Sequence, residues 1–366
     1  MASESSPSTS TTPEALVERM SDAVLGALEL LCVYVGDQLG FYGALAVGGP
    51  ATAPELAARS GTDERYTREW LEQQAVAGYL GCDNPDADAD SRCYRLPDGY
   101  ASVLVEPDNL MCMAPYAQFV VGTAAPLAEL LQAYRSGAGV PYAHYGRDMH
   151  DGIARANRPM LTQQLAQEWV PAMPDIDARL RANPPARIAD IGIGQGWSSI
   201  ALARAYPNAR VDGLDLDDGS IAVAEENARA AGVADRVQFH VRDAGDPNLA
   251  GQYDLALAIE CIHDMANPVG ALAAMRQLVG SGGTVLIVDE RVPDTFAPHG
   301  DAIERMLYTA SVLHCLPVGR ADELSVATGT IMRRPIFYRY AEEAGFTQID
   351  ELPIENDFWR FYRLTA

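Results

Sequence analysis

Apolar residues first fall into register after Pro13-Glu14, where Leu16, Met20, Val24, Leu28 and Leu31 recur at helical spacing. Proline suits the first helical position, whose amide would be unpaired anyway, so a core or dimerisation helix is predicted from Pro13. A capped segment from Thr52 to Gly61 and a longer one from Thr62 to Leu80, with Trp70, Leu71 and Val76 able to face a core, predict two helices joined by a glycine-containing turn. Tyr79 to Leu96 then reads as two short strands around Asn84-Pro85-Asp86-Ala87-Asp88-Ala89-Asp90, the wing of a winged helix. Residues 103–183 show broken helical patterns rich in Tyr, Met, His and Trp. That suits a helical connector packed on its neighbours or a substrate-pocket lining.

The period changes after Pro184. Five apolar runs, Arg187 to Ile193, Arg210 to Asp215, Val237 to Arg242, Tyr253 to Ile259 and Thr284 to Asp289, are separated by helical patterns or short loops. Such alternation calls for a parallel sheet with helices on both faces. Thr347 to Ile354 and Phe358 to Leu364 add a closing antiparallel pair, giving a seven-stranded α/β domain. The expected division is a disordered Ser/Thr-rich tail (1–12), a winged-helix dimerisation domain (13–102), the connector (103–183) and the α/β domain (184–366).

Charge narrows the function. The 366 residues carry 50 acidic and 27 basic side chains, a net charge of −23, and all the basic residues are arginine. Without lysine there is no P-loop lysine, no Schiff base and no pyridoxal-phosphate chemistry. Residues 1–98 hold 16 acids against six arginines, which argues against nucleic acid as the partner of the winged helix. The six cysteines form no CxxC pair and read as free thiols in a reducing compartment. With no leader or membrane-spanning run in view, a cytoplasmic location is expected.

Candidate chemistry concentrates at strand ends. Asp190-Ile191-Gly192-Ile193-Gly194-Gln195-Gly196-Trp197 follows the first strand of the α/β domain and leads into a helix, where glycines let backbone approach a ligand at a helix N-terminus. Asp215 closes the next strand 19 residues beyond Gly196, placed to accept both ribose hydroxyls. Asp243-Ala244 ends the third strand, where the aspartate can accept from an adenine amino group. The glycine spacing is GxGxG rather than the dinucleotide GxGxxG, and Asp190 stands before it to face an ammonium.

These residues resemble the class I S-adenosylmethionine-dependent methyltransferases over roughly 184–366. The winged helix, Val140-Pro141-Tyr142, Asn157-Arg158-Pro159-Met160, His263-Asp264 and Leu313-His314-Cys315-Leu316-Pro317 extend the resemblance to actinobacterial small-molecule methyltransferases with an N-terminal winged helix. The resemblance implies a Rossmann-like domain that binds S-adenosylmethionine through Asp190, Gly192, Gly194, Gly196, Asp215, Leu216, Asp243, Ala244 and Glu260. It implies a homodimer in specialised metabolism, acting on a small organic molecule. His263, in Glu260-Cys261-Ile262-His263-Asp264, ends the fourth strand and has the pKa range of a general base, with Asp264 beside it. A similar branch, the α-keto acid C-methyltransferases, holds a non-haem metal with two histidines. By that likeness His263 and His314 would bind iron or zinc, with Asp264 as a third ligand. O-methylation by a base and metal-assisted C-methylation both remain open. So do a regulator that uses the fold as a ligand sensor and an enzyme that performs a rearrangement or cyclisation.

Overall fold

The computed structural model describes residues 12–243 and 253–365, so the expected disordered tail, apart from Thr12, and Ala244 lie outside the described residues. The chain divides into two compact units, Met1–Val121 and Gly122–Ala366.

The first unit runs α1 (Pro13–Gln38), α2 (Phe41–Gly48), α3 (Ala53–Ser60), α4 (Glu64–Val76), β1 (Gly81–Cys82), β2 (Tyr94–Arg95) and α5 (Ala101–Leu104). The Thr12 hydroxyl accepts from the Ala15 amide at 3.3 Å and starts α1 at Pro13. Antiparallel β1 and β2 form the small wing. Phe41, Tyr42, Trp70, Leu71 and Tyr94 make the core, and Trp70 Nε1 donates to the Cys32 carbonyl at 2.9 Å. Val76 does not join them: as the last residue of α4 it is 90% exposed, beyond the packed turns. On α1, Val33 and Gly36 are the buried residues, while Leu16, Met20, Val24, Leu28 and Leu31 are exposed. The stripe read as core or dimer helix is therefore not core of this chain. No single described helix is long and apolar enough to cross a membrane.

Helix α6 (Ala114–Ala124) carries the division point. The second unit continues with α7 (Leu127–Ser136), α8 (Gly146–Gln163) and α9 (Pro174–Arg181), then β3 (Arg187–Ile191), α10 (Trp197–Ala205), β4 (Arg210–Asp215), α11 (Asp218–Ala230), β5 (Val237–Val241), β6 (Leu255–Ile259), α12 (Pro268–Val279), β7 (Thr284–Glu290), α13 (Ala302–Ala310), α14 (Leu316–Gly319), α15 (Arg334–Glu343), β8 (Gln348–Glu351) and β9 (Trp359–Thr365). Most of the expected connector thus belongs to the unit that holds the sheet. Leu161, Leu165 and Trp169 pack with Ile188, Leu255 and Leu286 in one core cluster.

The sheet order is β5-β4-β3-β6-β7-β9-β8. The first five strands are parallel, and β9 lies antiparallel to both β7 and β8. Both faces of the central strands are covered, which explains why β6 and β7 read as continuous apolar runs. Strand order reverses between β3 and β6, so the loops after these strands open the crevice where ligands bind in sheets of this kind.

Candidate active site

The glycine loop is built by what each glycine excludes. Gly192, Gly194 and Gly196 all have left-handed backbone, with φ of 68°, 51° and 81°. A Cβ at Gly192 would strike Cys261 Sγ at 2.7 Å, and one at Gly196 would strike Ala224 and Phe239 at 2.9 Å. At Gly194 it would meet nothing within 4 Å, so this glycine alone faces open space. Asp215, at the end of β4, ties the loop down: its Oδ2 accepts from the Gly194 amide at 2.9 Å and its Oδ1 from the Asp217 amide at 3.0 Å. Burial raises the Asp215 carboxyl, against these amide hydrogen bonds.

Asp190 is 2% exposed and accepts from the Ser198 and Ser199 hydroxyls, each at 2.6 Å. Burial pushes its carboxyl up to about 6, and the two serines oppose that shift. Leu216, the residue after β4, leaves an apolar side chain 72% exposed. Asp217 caps α11 by accepting from the Ser220 amide at 2.7 Å, a structural task. Strand β5 ends at Val241, so Asp243 lies two residues past the strand and not on its last residue, as the sequence had suggested; it is exposed.

The loop after β6 holds the reactive groups. Glu260 has a φ of 54°, an unusual conformation for a residue with a side chain, and its amide donates to the Val288 carbonyl at 2.9 Å. Asn157 of α8 donates to the Glu260 carboxyl. Burial pushes Glu260 up to about 8, against the nearby His263. His263 is 2% exposed, with Nδ1 at 2.8 Å from Asp289 Oδ1 and 3.0 Å from Glu290 Oε2, while Nε2 faces Asp264 Oδ1 at 3.3 Å. Burial alone would lower its pKa, but Glu290, Asp289 and Asp264 together raise it well above the usual histidine range. Burial acts most strongly on Asp289 and would raise it, yet the facing imidazole and the hydrogen bonds from Glu290 and His263 together hold the carboxyl low, whereas burial raises Glu290 well up. The arrangement sets one buried imidazole against the Asp289 and Glu290 carboxyls on its Nδ1 side and Asp264 on its Nε2 side.

An aromatic wall adjoins this cluster. Tyr142 stacks on His150 with ring centroids 4.1 Å apart, and Tyr145 meets His314 edge-on at 4.7 Å. Burial raises the Tyr142 hydroxyl, helped by Asp215, Asp217, Asp264 and Asp151. His314 is 3% exposed and burial lowers it to about 4. A His263 nitrogen, an Asp264 oxygen and Cys315 Sγ lie within 4.8 Å of one another; His314 is not in that donor group. From α8, Asp151 accepts from the Gln195 side chain at 2.6 Å, and the Arg158 guanidinium lies 4.0 Å over the Trp197 ring. Arg320 donates to the Gly137 carbonyl at 3.0 Å and Arg334 pairs with Asp294, so both are committed internally.

Sequence reasoning missed Asp289 and Glu290, and it missed what Asn157 and Asp151 touch. A signal existed for the first pair: two acids at the end of an otherwise apolar strand are costly unless matched.

With this geometry in view, comparisons define the class. Residues 188–283 match a family model described as "Methyltransferase domain", and residues 26–106 match "Rv2258c-like winged HTH domain". Ajmaline N-methyltransferase of Rauvolfia serpentina is 30% identical over 105 residues, covering 28% of this chain and 36% of the relative. The structure of mitomycin 7-O-methyltransferase MmcR superposes with a TM-score of 0.66 at 19% identity, over 96% of this chain and 98% of that one. Human N-acetylserotonin methyltransferase, in complex with SAM, gives 0.69 at 15% identity, over 100% and 99%. The chain spans between 24% and 39% of the length of the first curated relatives it matches. The protein therefore carries a class I methyltransferase domain behind a winged helix-turn-helix domain. The fold expected from the glycine loop and the alternating strands is the fold found.

Proposed function

We propose that this protein is an S-adenosylmethionine-dependent methyltransferase of specialised metabolism that O-methylates a small organic molecule. The observation that carries the reading is the buried His263, held through Nδ1 by Asp289 at the end of β7, on the loop that follows the switch-point strand. The residues fit the cofactor. Gly194 leaves open space, Asp215 presents a carboxylate for ribose, Asp190 one for an ammonium, and Leu216 an apolar side chain for adenine. Gly192, Gly196, Asp243, Ala244 and Glu260 complete the proposed set. When bound, S-adenosylmethionine supplies an electrophilic methyl group on its sulfonium.

The chain supplies position and proton management. His263 takes the acceptor's hydroxyl proton on Nε2 as a neutral ring, once its own Nε2 proton has passed by way of the nearby Asp264 carboxylate to solvent, and Asp289 keeps the ring fixed through Nδ1. His263 and Asp264 are thus the proposed catalytic pair. Replacing His263 by Ala should leave cofactor affinity nearly unchanged and cut turnover of a phenolic acceptor about a hundredfold or more, read as S-adenosylhomocysteine released. Unchanged turnover would remove His263 from the mechanism.

A second reading, metal-assisted C-methylation of an α-keto acid, draws on the donor group of His263, Asp264 and Cys315. Iron or zinc would be held there, with His314 as the further ligand suggested by sequence, and would polarise the keto oxygen. Metal analysis of the freshly purified protein separates the two. In the reading as a whole the partner is a small molecule and not nucleic acid or membrane, and the location is cytoplasmic. Residues 13–102 serve dimerisation, 103–183 line the substrate pocket and 184–366 hold the cofactor. The acidic first unit and the bare apolar stripe of α1 support this division.

A further inference from the structure

Arg360 on β9 is a buried cation left short of acceptors. It is 9% exposed, and its Nη2 donates to the Val292 carbonyl at 3.3 Å, but Nε and Nη1 are buried with no hydrogen-bond partner. Glu351 Oε1 stands 3.6 Å from Nε and Asp294 Oδ1 3.8 Å from Nη1, outside hydrogen-bond distance, and both carboxylates also face Arg334. A guanidinium that has lost water without gaining close acceptors is costly, and its planar donors match a carboxylate.

The same side chain lines a cavity of about 300 Å³, where the turn between β8 and β9 meets the end of β7. The Arg291 amide donates to the Phe358 carbonyl at 2.8 Å, and Arg291 Nη1 donates to the Asn356 carbonyl at 2.7 Å, which tie the turn to β7. Half-buried Leu352 and Ile354 and buried Trp359 form the apolar side of the cavity, while Arg291 and Glu355 are exposed at its rim. None of the residues proposed for the cofactor or for catalysis lines it.

We infer that this cavity is a second ligand site, which takes an α-amino acid with an apolar side chain. The carboxylate accepts from Arg360, with Arg291 beside it, the ammonium faces Glu355, and the side chain lies against Leu352 and Ile354. The two signs of charge select a zwitterion: arginines alone would take phosphate equally well, and Glu351 and Glu355 repel it.

Isothermal calorimetry on the full chain tests this with L-leucine, 4-methylpentanoate, which lacks the ammonium, L-leucinamide, which lacks the carboxylate, and inorganic phosphate. The wild type should bind L-leucine with a dissociation constant below about 1 mM, at least about tenfold more tightly than the other three. Glu355→Gln should bring L-leucine and 4-methylpentanoate to similar affinities, and Arg360→Met should lose both. Because Arg360 is buried and that variant can fail to fold, the exposed Arg291→Met carries the same test and should weaken L-leucine about tenfold. No heat with L-leucine in the wild type, equal or tighter binding of any of the other three probes, or L-leucine binding unmoved in Arg291→Met and Glu355→Gln overturns the inference. The titrations contain no cofactor, so their outcome stands apart from the methyl-transfer reading.

Discussion

Replacing Asp289 by Asn removes the charge that holds His263 while keeping the side chain's shape. Two unit charges at the observed 2.8 Å interact by roughly 6 kcal/mol at an effective dielectric of about 20, an upper bound because Glu290 stands 3.0 Å away and can take up part of the role. Losing the charge lowers the His263 pKa, since less negative potential disfavours the imidazolium. A histidine whose folded pKa is raised stabilises the protein below its unfolded pKa, and that contribution disappears as pH rises through the folded value. Asp289→Asn should therefore be less stable than the wild type at pH 6, with the gap closing as pH rises. Activity, which needs the neutral ring, should climb with pH in the wild type, and the variant's climb should move to lower pH. Turnover at the plateau should fall about a hundredfold, near 2.7 kcal/mol on the barrier, because the ring loses its fixed orientation. Nitrogen-15 imidazole NMR reads the His263 titration and tautomer directly, and initial rates on a phenolic acceptor read the profile. A variant with wild-type turnover and an unmoved titration would refute the assignment of Asp289.

Asp190→Asn tests a stability–function conflict. A buried acid raised to about 6 costs the folded state up to about 3 kcal/mol above that pH and nothing below about pH 4, so thermal melts should show the variant more stable at pH 7.5 and level at pH 4, with weaker cofactor binding. Gly194→Ala fills the open side of the loop at a φ of 51°; calorimetry should show cofactor affinity lower by about tenfold or more, with about 1–2 kcal/mol of strain in the melt. Leu28→Glu on the bare stripe of α1 should turn a dimer into a monomer by native mass spectrometry, and an unchanged mass would remove α1 from the interface.

What the sequence disclosed was local or periodic. The glycine loop and the strand ends at Asp190 and Asp215 are visible because loop, helix start and strand lie within a few residues of one another. The Asp289 contact was not visible, because it joins residues 26 apart in the chain and exists only because β7 pairs beside β6. Asn157 meets Glu260 across 103 residues, a contact fixed by how α8 packs in the second unit. His314 lies on the π-turn Ser311–Cys315 that follows α13, and helical periodicity does not distinguish such a turn from regular helix. Val76 matched the apolar spacing of α4 yet sits at its last residue, where nothing packs on it.

The central claim is that the crevice beside Gly194 and Asp215 holds S-adenosylmethionine. Isothermal calorimetry tests it most directly. The wild type should bind with a dissociation constant below about 1 mM, and Asp215→Ala should weaken binding at least about tenfold without loss of folded structure. A folded wild-type protein that gives no binding heat with millimolar S-adenosylmethionine at two temperatures would contradict the account.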